Sequence, residues 1–258
     1  MKVVILAGGR GTRLGQLSSV KPKPMVEIGN RPILWHIMRL YSHFGINEFI
    51  ICSGYLGYQI KDYFANYLKH ISDVNINFEN DTIEYNRKEK KLNWKISIVD
   101  TGQETLTGGR LKKIKYLLDD NNPFFMTYGD GLADVNMAEL LKFHKEKQKL
   151  VTMTAVYPPP RFGSLVIESG LVTKFSEKNI GDVGRINGGF FVCEKSSLEY
   201  INNENEAWES SPLVNLSSSK ELSAYLHDGF WQPMDTLRER DELEKLWNDG
   251  YAPWKLWS

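Results

Sequence analysis

The residues best suited to chemistry in this chain begin at its first turn. Leu6-Ala-Gly-Gly-Arg-Gly-Thr-Arg13 sets Gly8, Gly9 and Gly11 among Arg10, Thr12 and Arg13, directly after the apolar run Met1 to Ala7. Glycines there let backbone N–H groups surround an anion, because no side chain holds the ligand off. Arg10 and Arg13 add positive charge, so the chemistry indicated is phosphate binding. Two common phosphate loops are excluded by the letters. The dinucleotide fingerprint G-x-G-x-x-G needs glycine where Leu14 stands, and the Gly-Lys-Ser/Thr ending of a P-loop is absent.

Three further stretches could work with that loop. Val20-Lys-Pro-Lys-Pro-Met25 carries Lys21 and Lys23 between prolines that favour an extended, stiff backbone. Rigid lysines suit a polyphosphate, although Lys-Pro-Lys-Pro alone also reads as a solvated basic turn. Met126-Thr-Tyr-Gly-Asp-Gly131 puts Asp130 after a strand-like run, where open α/β sheets bind ligands. A carboxylate among phosphates makes sense with a cation between them, and Mg²⁺ is the usual choice; a tight Gly-Asp-Gly turn is the plain alternative. Asp235, in Gly229-Phe-Trp-Gln-Pro-Met-Asp-Thr236, precedes a helix-like segment. It is either a second carboxylate on that cation or a helix cap, and spacing favours the cap.

Glu177-Lys178 and Arg185-Ile-Asn-Gly-Gly189 have the polarity to hold a sugar phosphate, with Asn187 as an amide beside Gly188. An exposed salt-bridged pair is the ordinary reading of Glu177 and Lys178. The five histidines lack paired metal-ligand spacing, so none takes a catalytic assignment.

The elements that must position these residues follow from periodicity. Ile33, Leu34, Ile37, Met38, Tyr41 and Phe44 recur at helical spacing after Pro32 and stop at Gly45. A short apolar strand to Gly54 and a helix through Ile60, Tyr63, Phe64 and Tyr67 come next. This βαβα series predicts a parallel sheet with helices on both faces. Between about 70 and 102 the pattern changes to alternation in Asp73 to Phe78, Thr82 to Asn86 and Trp94 to Val99, which predicts half-buried antiparallel strands with a hairpin turn near Asn80-Asp81. Helices through Leu111 to Leu118 and through Leu140 to His144 then flank strands at Pro123 to Tyr128 and Leu150 to Val156. Short strands follow from Gly163 to Glu168, Leu171 to Phe175 and Gly188 to Val192, with helices at Lys195 to Asn202, Ser211 to Ser217 and Leu237 to Asn248. The expected fold is α/β: a Rossmann-like, mostly parallel sheet flanked by helices, with an inserted β-hairpin and a mixed α/β C-terminal part. No linker composition divides the chain, so one domain over 1–258 is expected.

Composition narrows the partners. Lys plus Arg and Asp plus Glu number 32 each among 258 residues, so no basic field argues for nucleic acid. No apolar run is long enough for a membrane span, and no secretion signal is present, which makes the expected location cytoplasmic. Cys52 and Cys193 lie in apolar runs and read as buried reduced thiols.

Together these stretches resemble the sugar-1-phosphate nucleotidylyltransferases, through Leu6 to Leu14, Lys21-Pro-Lys-Pro-Met25, Gly129-Asp130, Glu177-Lys178 and Asn187-Gly-Gly189. Longer strings, among them Thr107-Gly-Gly-Arg-Leu111, Ile186-Asn-Gly-Gly-Phe-Phe191, Gly229 to Leu237 and Ala252-Pro-Trp-Lys-Leu-Trp257, resemble the glucose-1-phosphate cytidylyltransferase branch along the whole chain. The resemblance implies that CTP and α-D-glucose 1-phosphate give CDP-glucose and pyrophosphate, for deoxysugar synthesis in O-antigen lipopolysaccharide. It implies that Leu6, Ala7 and Gly8 to Arg13 hold the nucleotide, that Thr107, Gly109 and Arg110 lie by the cytosine, and that Gly129 lines the same site. Arg13, Lys23 and Asp130 would be catalytic. Asp130 and Asp235 would share Mg²⁺, against the cap reading, and Glu177, Lys178, Asn187 and Gly188 would bind the sugar phosphate. Residues 1–135 would be mainly nucleotide-binding and 136–258 mainly sugar-binding and oligomer-forming. A homo-oligomer, trimer or hexamer, is implied, with the region 70–102 at its contacts. One departure is Asn179, where the family has proline; with Arg185 near the sugar site, it leaves another sugar conceivable.

Overall fold

The computed structural model describes residues 1–87, 90–159, 164–168, 170–176 and 184–257. Seven strands form the main sheet: β1 (Lys2–Ala7), β2 (Glu48–Ser53), β3 (Lys95–Asp100), β4 (Phe124–Tyr128), β5 (Val151–Val156), β6 (Ile186–Cys193) and β7 (Leu222–Leu226). Their order is β7-β5-β6-β4-β1-β2-β3. Only β6 runs against its neighbours β4 and β5; the other pairings are parallel.

Alternate side chains of β1 leave for opposite faces, as a strand's period of two requires. Val3, Ile5 and Ala7 join one buried cluster with Ile33, Leu34, Ile37, Met38 and Tyr41 of the helix Ile33–His43. Val4 and Leu6 join the other, with Leu111 of the helix Thr107–Lys113 and with Trp208 and Leu216. A strand buried on both faces reads as an unbroken apolar run, which is why β1, β2 and β4 were legible. Pro32 stands just ahead of its helix as the N-cap, with extended backbone. The helix expected through Tyr67 is two, Gly57–Ala65 and Tyr67–Ile71, divided at Asn66.

The expected hairpin forms from Ser72–Asn77 and Thr82–Arg87, with Asp81 left-handed in its turn. The third alternating segment is a correction. Lys95–Asp100 is not antiparallel but the parallel edge strand β3 beside β2. It alternates because Ile96 and Ile98 pack on one core cluster while Lys95 and Ser97, on the other side, are exposed, and only Val99 at the strand's end packs on the opposite cluster. A parallel edge strand with one solvated face has the pattern usually given by antiparallel sheets. The short strands Ser164–Glu168 and Leu171–Ser176 pair antiparallel, while the turn residue Ser169 lies outside the described residues. The segment expected as a helix at Lys195 to Asn202 is a 3₁₀ helix, Lys195–Tyr200.

Both cysteines are buried free thiols, and burial pushes Cys52 up to about 12. His36 is structural. Its Nε2–H donates to the Ile28 carbonyl at 2.8 Å, and its Nδ1 accepts from Trp254 Nε1 at 3.3 Å. The neutral ring is thus fully satisfied, and burial above all lowers its pKa from 6.5 to about 4. Between those values the unfolded chain binds a proton that the folded one refuses, so stability should fall as pH drops from 6.5 to 4. The expected slope from this residue is about 1.4 kcal/mol per pH unit. Urea unfolding across that range should show the slope reduced in His36→Gln; an identical slope in the variant would exclude His36 as its source.

Candidate active site

The site lies where β1 and β4 end side by side, with Leu6 in register with Tyr128. The Gly129 N–H donates to the Leu6 carbonyl at 3.0 Å and locks the two strand ends together. The glycine loop leaves β1 here, and Gly129-Asp130 leaves β4. Between them opens a cavity of about 280 Å³, walled by the backbone from Leu6 to Gly9, by Gly11, Arg13 and Lys23, and by Thr107, Arg110 and Gly129-Asp130.

Local sequence explains the loop's shape. Gly11 adopts φ 61° and faces the Lys23 stem, where an added Cβ would come within 3.0 Å of Lys23 Cβ. Thr12–Leu14 then make one 3₁₀ turn and bury Leu14 in the core. The position where a dinucleotide loop requires glycine therefore serves here as an apolar anchor.

Lys21-Pro-Lys-Pro-Met25 is extended only through Pro22; Lys23–Met25 close a 3₁₀ turn. The turn separates the two lysines. Lys21 pairs with Glu27 at the surface, at 2.6 Å, and Lys23 points inward and is buried. Its Nζ donates to Asp130 Oδ2 at 2.6 Å and to Asp235 Oδ1 at 2.5 Å. Burial works against the charged ammonium, but the two carboxylates outweigh it and hold the Lys23 pKa above its usual value. Arg13 Nη1 reaches the other oxygen of Asp235 at 2.7 Å.

Asp235 arrives by a short antiparallel pairing of Gly131–Ala133 with Trp231–Pro233, closed by the Met234 N–H on the Asp130 carbonyl at 2.8 Å. It does not cap the following helix, contrary to what spacing favours. Thr236 is the N-cap of Leu237–Asn248, in a capping box with Glu239. The letters Thr-x-x-Glu carry that signal, and they release Asp235 to face Asp130.

A smaller cavity of about 40 Å³ adjoins the first across Tyr128 and Asp130, and Asn187, Gly188 and Trp231 line it. Asn187 Oδ1 accepts from the Gly189 N–H at 2.8 Å, and Trp231 Nε1 donates to the Gly188 carbonyl at 2.7 Å, fixing this wall. Glu177 and Lys178, expected at the same wall, and Asn179 lie outside the described residues.

Other expected residues lie in the cavity wall or around it. Arg110 is buried, and its guanidinium donates to the carbonyls of Gly8 at 3.0 Å, Ser53 at 3.1 Å and Gly102 at 2.8 Å, and to Thr101 Oγ1 at 2.6 Å. It braces the glycine loop from behind, so closely that a Cβ on Gly8 would meet Nη1 at 2.0 Å. Gly109 faces the segment 204–206, since a Cβ there would lie 2.0 Å from the Glu204 carbonyl oxygen. Arg10 pairs with Glu104 at the surface, and Thr12 is exposed beside it. Arg185 stacks 4.2 Å from the Tyr157 ring centroid and donates to the Ala155 and His227 carbonyls and to Asp228, tying down the strand end that leads to Asn187. Motif reading passed over Tyr128, common to both cavities, and Glu209, which accepts from its hydroxyl.

Comparison with known proteins places the chain in a family. Residues 2–249 match the family model "Nucleotidyl transferase". The glucose-1-phosphate cytidylyltransferase of Salmonella typhi is 52% identical over 257 residues, covering 100% of both chains. A mannose-1-phosphate guanylyltransferase catalytic subunit beta from Dictyostelium discoideum is 31% identical, over 95% of this chain and 64% of its own length. Among solved structures, the UDP-glucose pyrophosphorylase from Acinetobacter baumanii superposes with a TM-score of 0.69 at 17% identity, covering 97% of this chain and 95% of that one, which shows the shared fold. With this cavity at the strand ends and full-length relatives of this kind, the chain belongs to the nucleotidyl transferase family, an enzyme family that moves nucleotidyl groups.

Proposed function

We propose that the protein transfers the cytidylyl group of CTP to α-D-glucose 1-phosphate, giving CDP-glucose and pyrophosphate. The observation that carries this reading is the meeting of two unequal cavities at Asp130, with Lys23, Arg13 and Asp235 gathered at the junction. The larger suits a nucleoside triphosphate and the smaller a sugar phosphate. An oxygen of the sugar phosphate attacks the α-phosphorus in line; a bond forms there as the α–β bridging bond breaks and pyrophosphate leaves. A phosphate dianion is itself a competent nucleophile, so the protein's work is alignment and charge neutralisation. Lys23 neutralises the reacting phosphate, Arg13 the departing one.

Asp130 and Asp235 are the groups that would hold Mg²⁺. Their carboxylates already converge on a single ammonium, at 2.6 and 2.5 Å, so they can share one cation. Among the described residues no group of three or more His, Cys, Asp and Glu is placed to hold a metal. Two carboxylates completed by phosphate oxygens is the arrangement Mg²⁺ favours. Bound there, it would supply charge neutralisation to the triphosphate.

Exposed Ile76 and Ile83 face each other across the hairpin, with Val74 and Phe78 exposed beside them. This apolar projection supports a homo-oligomer, which sedimentation velocity would size. No helix among the described residues is long and apolar enough to cross a membrane, and the buried free thiols suit the cytoplasm. Pyrophosphate release across four nucleoside triphosphates and several sugar 1-phosphates is the deciding experiment. CTP with glucose 1-phosphate should give the highest kcat/KM, and preference for any other pair would replace this reading.

A further inference from the structure

Glu209 belongs to none of the motifs, yet its carboxylate joins the walls of both cavities. Oε2 accepts from the Thr107 hydroxyl at 2.6 Å, and Oε1 accepts from the Tyr128 hydroxyl. Thr107 lines the nucleotide cavity, and Tyr128 lines both. The neighbouring Trp208 is fully buried, and its backbone N–H donates to Thr107 Oγ1 at 2.8 Å. Glu209 is therefore held in register with Thr107 by a core residue, although it is itself exposed.

The consequence lies in where the protons point. A carboxylate only accepts, so both hydroxyls must spend their single proton on Glu209. Thr107 also commits one lone pair to the Trp208 N–H, and what it has left for a ligand is its second lone pair. Tyr128 is in the same position: burial, and then the adjacent Glu209, push its phenol far above the usual range, so it stays a neutral hydroxyl. Its proton is turned to Glu209, and Asn187 Nδ2 approaches only to 3.5 Å.

We propose that Glu209 fixes the hydrogen-bond polarity of the site, making Thr107 an obligate acceptor that selects a base with an exocyclic amino donor over one with a carbonyl in that place. Cytosine presents such an amino group at C4 where uracil presents an oxygen. Against uracil, two acceptors would face each other with no proton between them, and leaving such groups unpaired is what gives hydrogen-bonding sites their large discrimination. Glu209 is a positioning residue, acting through Thr107 and Tyr128. The inference rests on the reading above that CTP is the nucleotide and that Thr107 lies at its base.

The test is kcat/KM for CTP and for UTP with glucose 1-phosphate, in the wild type, Glu209→Ala, Glu209→Asp and Thr107→Val. Glu209→Ala frees the Thr107 proton to turn into the cavity, so the CTP-to-UTP ratio should fall by about tenfold or more, chiefly through KM. Glu209→Asp keeps an acceptor-only group and should restore most of the ratio. Equal losses with both nucleotides in Glu209→Ala, leaving the ratio unchanged, would reduce Glu209 to a structural tie and overturn the proposal. A shift in Thr107→Val without one in Glu209→Ala would overturn the polarity argument but keep Thr107 at the base. A wild-type ratio in Thr107→Val would remove Thr107 from the base, and equal use of UTP by the wild type would remove the cytidylyl reading itself.

Discussion

Replacing Asp130 by alanine is expected to lower kcat by roughly a thousandfold or more, with little change in thermal stability. The side chain is a third exposed at the end of β4, and its departure leaves no large void. The backbone pairing that brings Asp235 alongside uses the Asp130 carbonyl, which any residue provides. What is lost is the carboxylate that anchors Lys23 from one side and would share the cation with Asp235. Lys23 would then rest on Asp235 alone, no longer held midway between the strand ends. Pyrophosphate release at saturating CTP, Mg²⁺ and glucose 1-phosphate measures the loss, and a melting curve checks the fold. Wild-type turnover in Asp130→Ala would remove this residue from the reaction centre, and with it the case for a metal at the junction.

The parts of this site that sequence made legible are those carried by short contiguous letters. Leu6 to Gly11 and Tyr128 to Asp130 each finish an apolar run with glycines, and two such strands, once parallel and adjacent, must place their ends together. Lys23 was legible as a charge but not as a buried one, because the 3₁₀ turn that separates it from Lys21 is set by tertiary packing. For Asp235 spacing alone favours a cap, because Asp before a helix usually is one, and only the resemblance implies a place on the metal. The better capping residue was the next letter, Thr236, confirmed by Glu239 three residues on. Arg110 lies in the Thr-Gly-Gly-Arg-Leu string, but its use as a brace depends on the carbonyls of Gly8 and Ser53, 102 and 57 residues away, as well as on nearby Thr101 and Gly102, and no local pattern encodes that. Glu209 was invisible for the same reason. Its partners are 102 and 81 residues away, and nothing in Ala-Trp-Glu-Ser-Ser sets it apart from an ordinary surface carboxylate. The fold was more legible than the site. Burial on both faces writes itself into consecutive residues, whereas the edge strands β3 and β7, half exposed, gave a misleading alternation in one case and no expectation in the other.

Lys23→Met should be the second severe substitution, and the two carboxylates give it a signature of its own. Methionine fills the same volume in the wall against Gly11, so packing changes little. The charge, however, is the common partner of Asp130 and Asp235, and unlike the loss of Asp130, which leaves Lys23 paired with Asp235, its removal leaves two converging carboxylates without their shared cation. Arg13 still reaches Asp235, but its side chain is mostly exposed, so it replaces little of the lost attraction. Turnover should fall by about a thousandfold, because among the described residues Lys23 is the buried cation set to neutralise the reacting phosphate. The unliganded variant should melt below the wild type, and Mg²⁺ added without nucleotide should narrow that gap, since a divalent ion can take the place of the ammonium between the carboxylates. The wild type should gain less from Mg²⁺ alone, because there the ion must compete with Lys23. Differential scanning fluorimetry with Mg²⁺, and with Ca²⁺ as a second hard cation, reads this difference directly. Equal shifts in the two proteins would show that Lys23 and the metal do not compete for Asp130 and Asp235, and the lysine would then belong to the triphosphate alone.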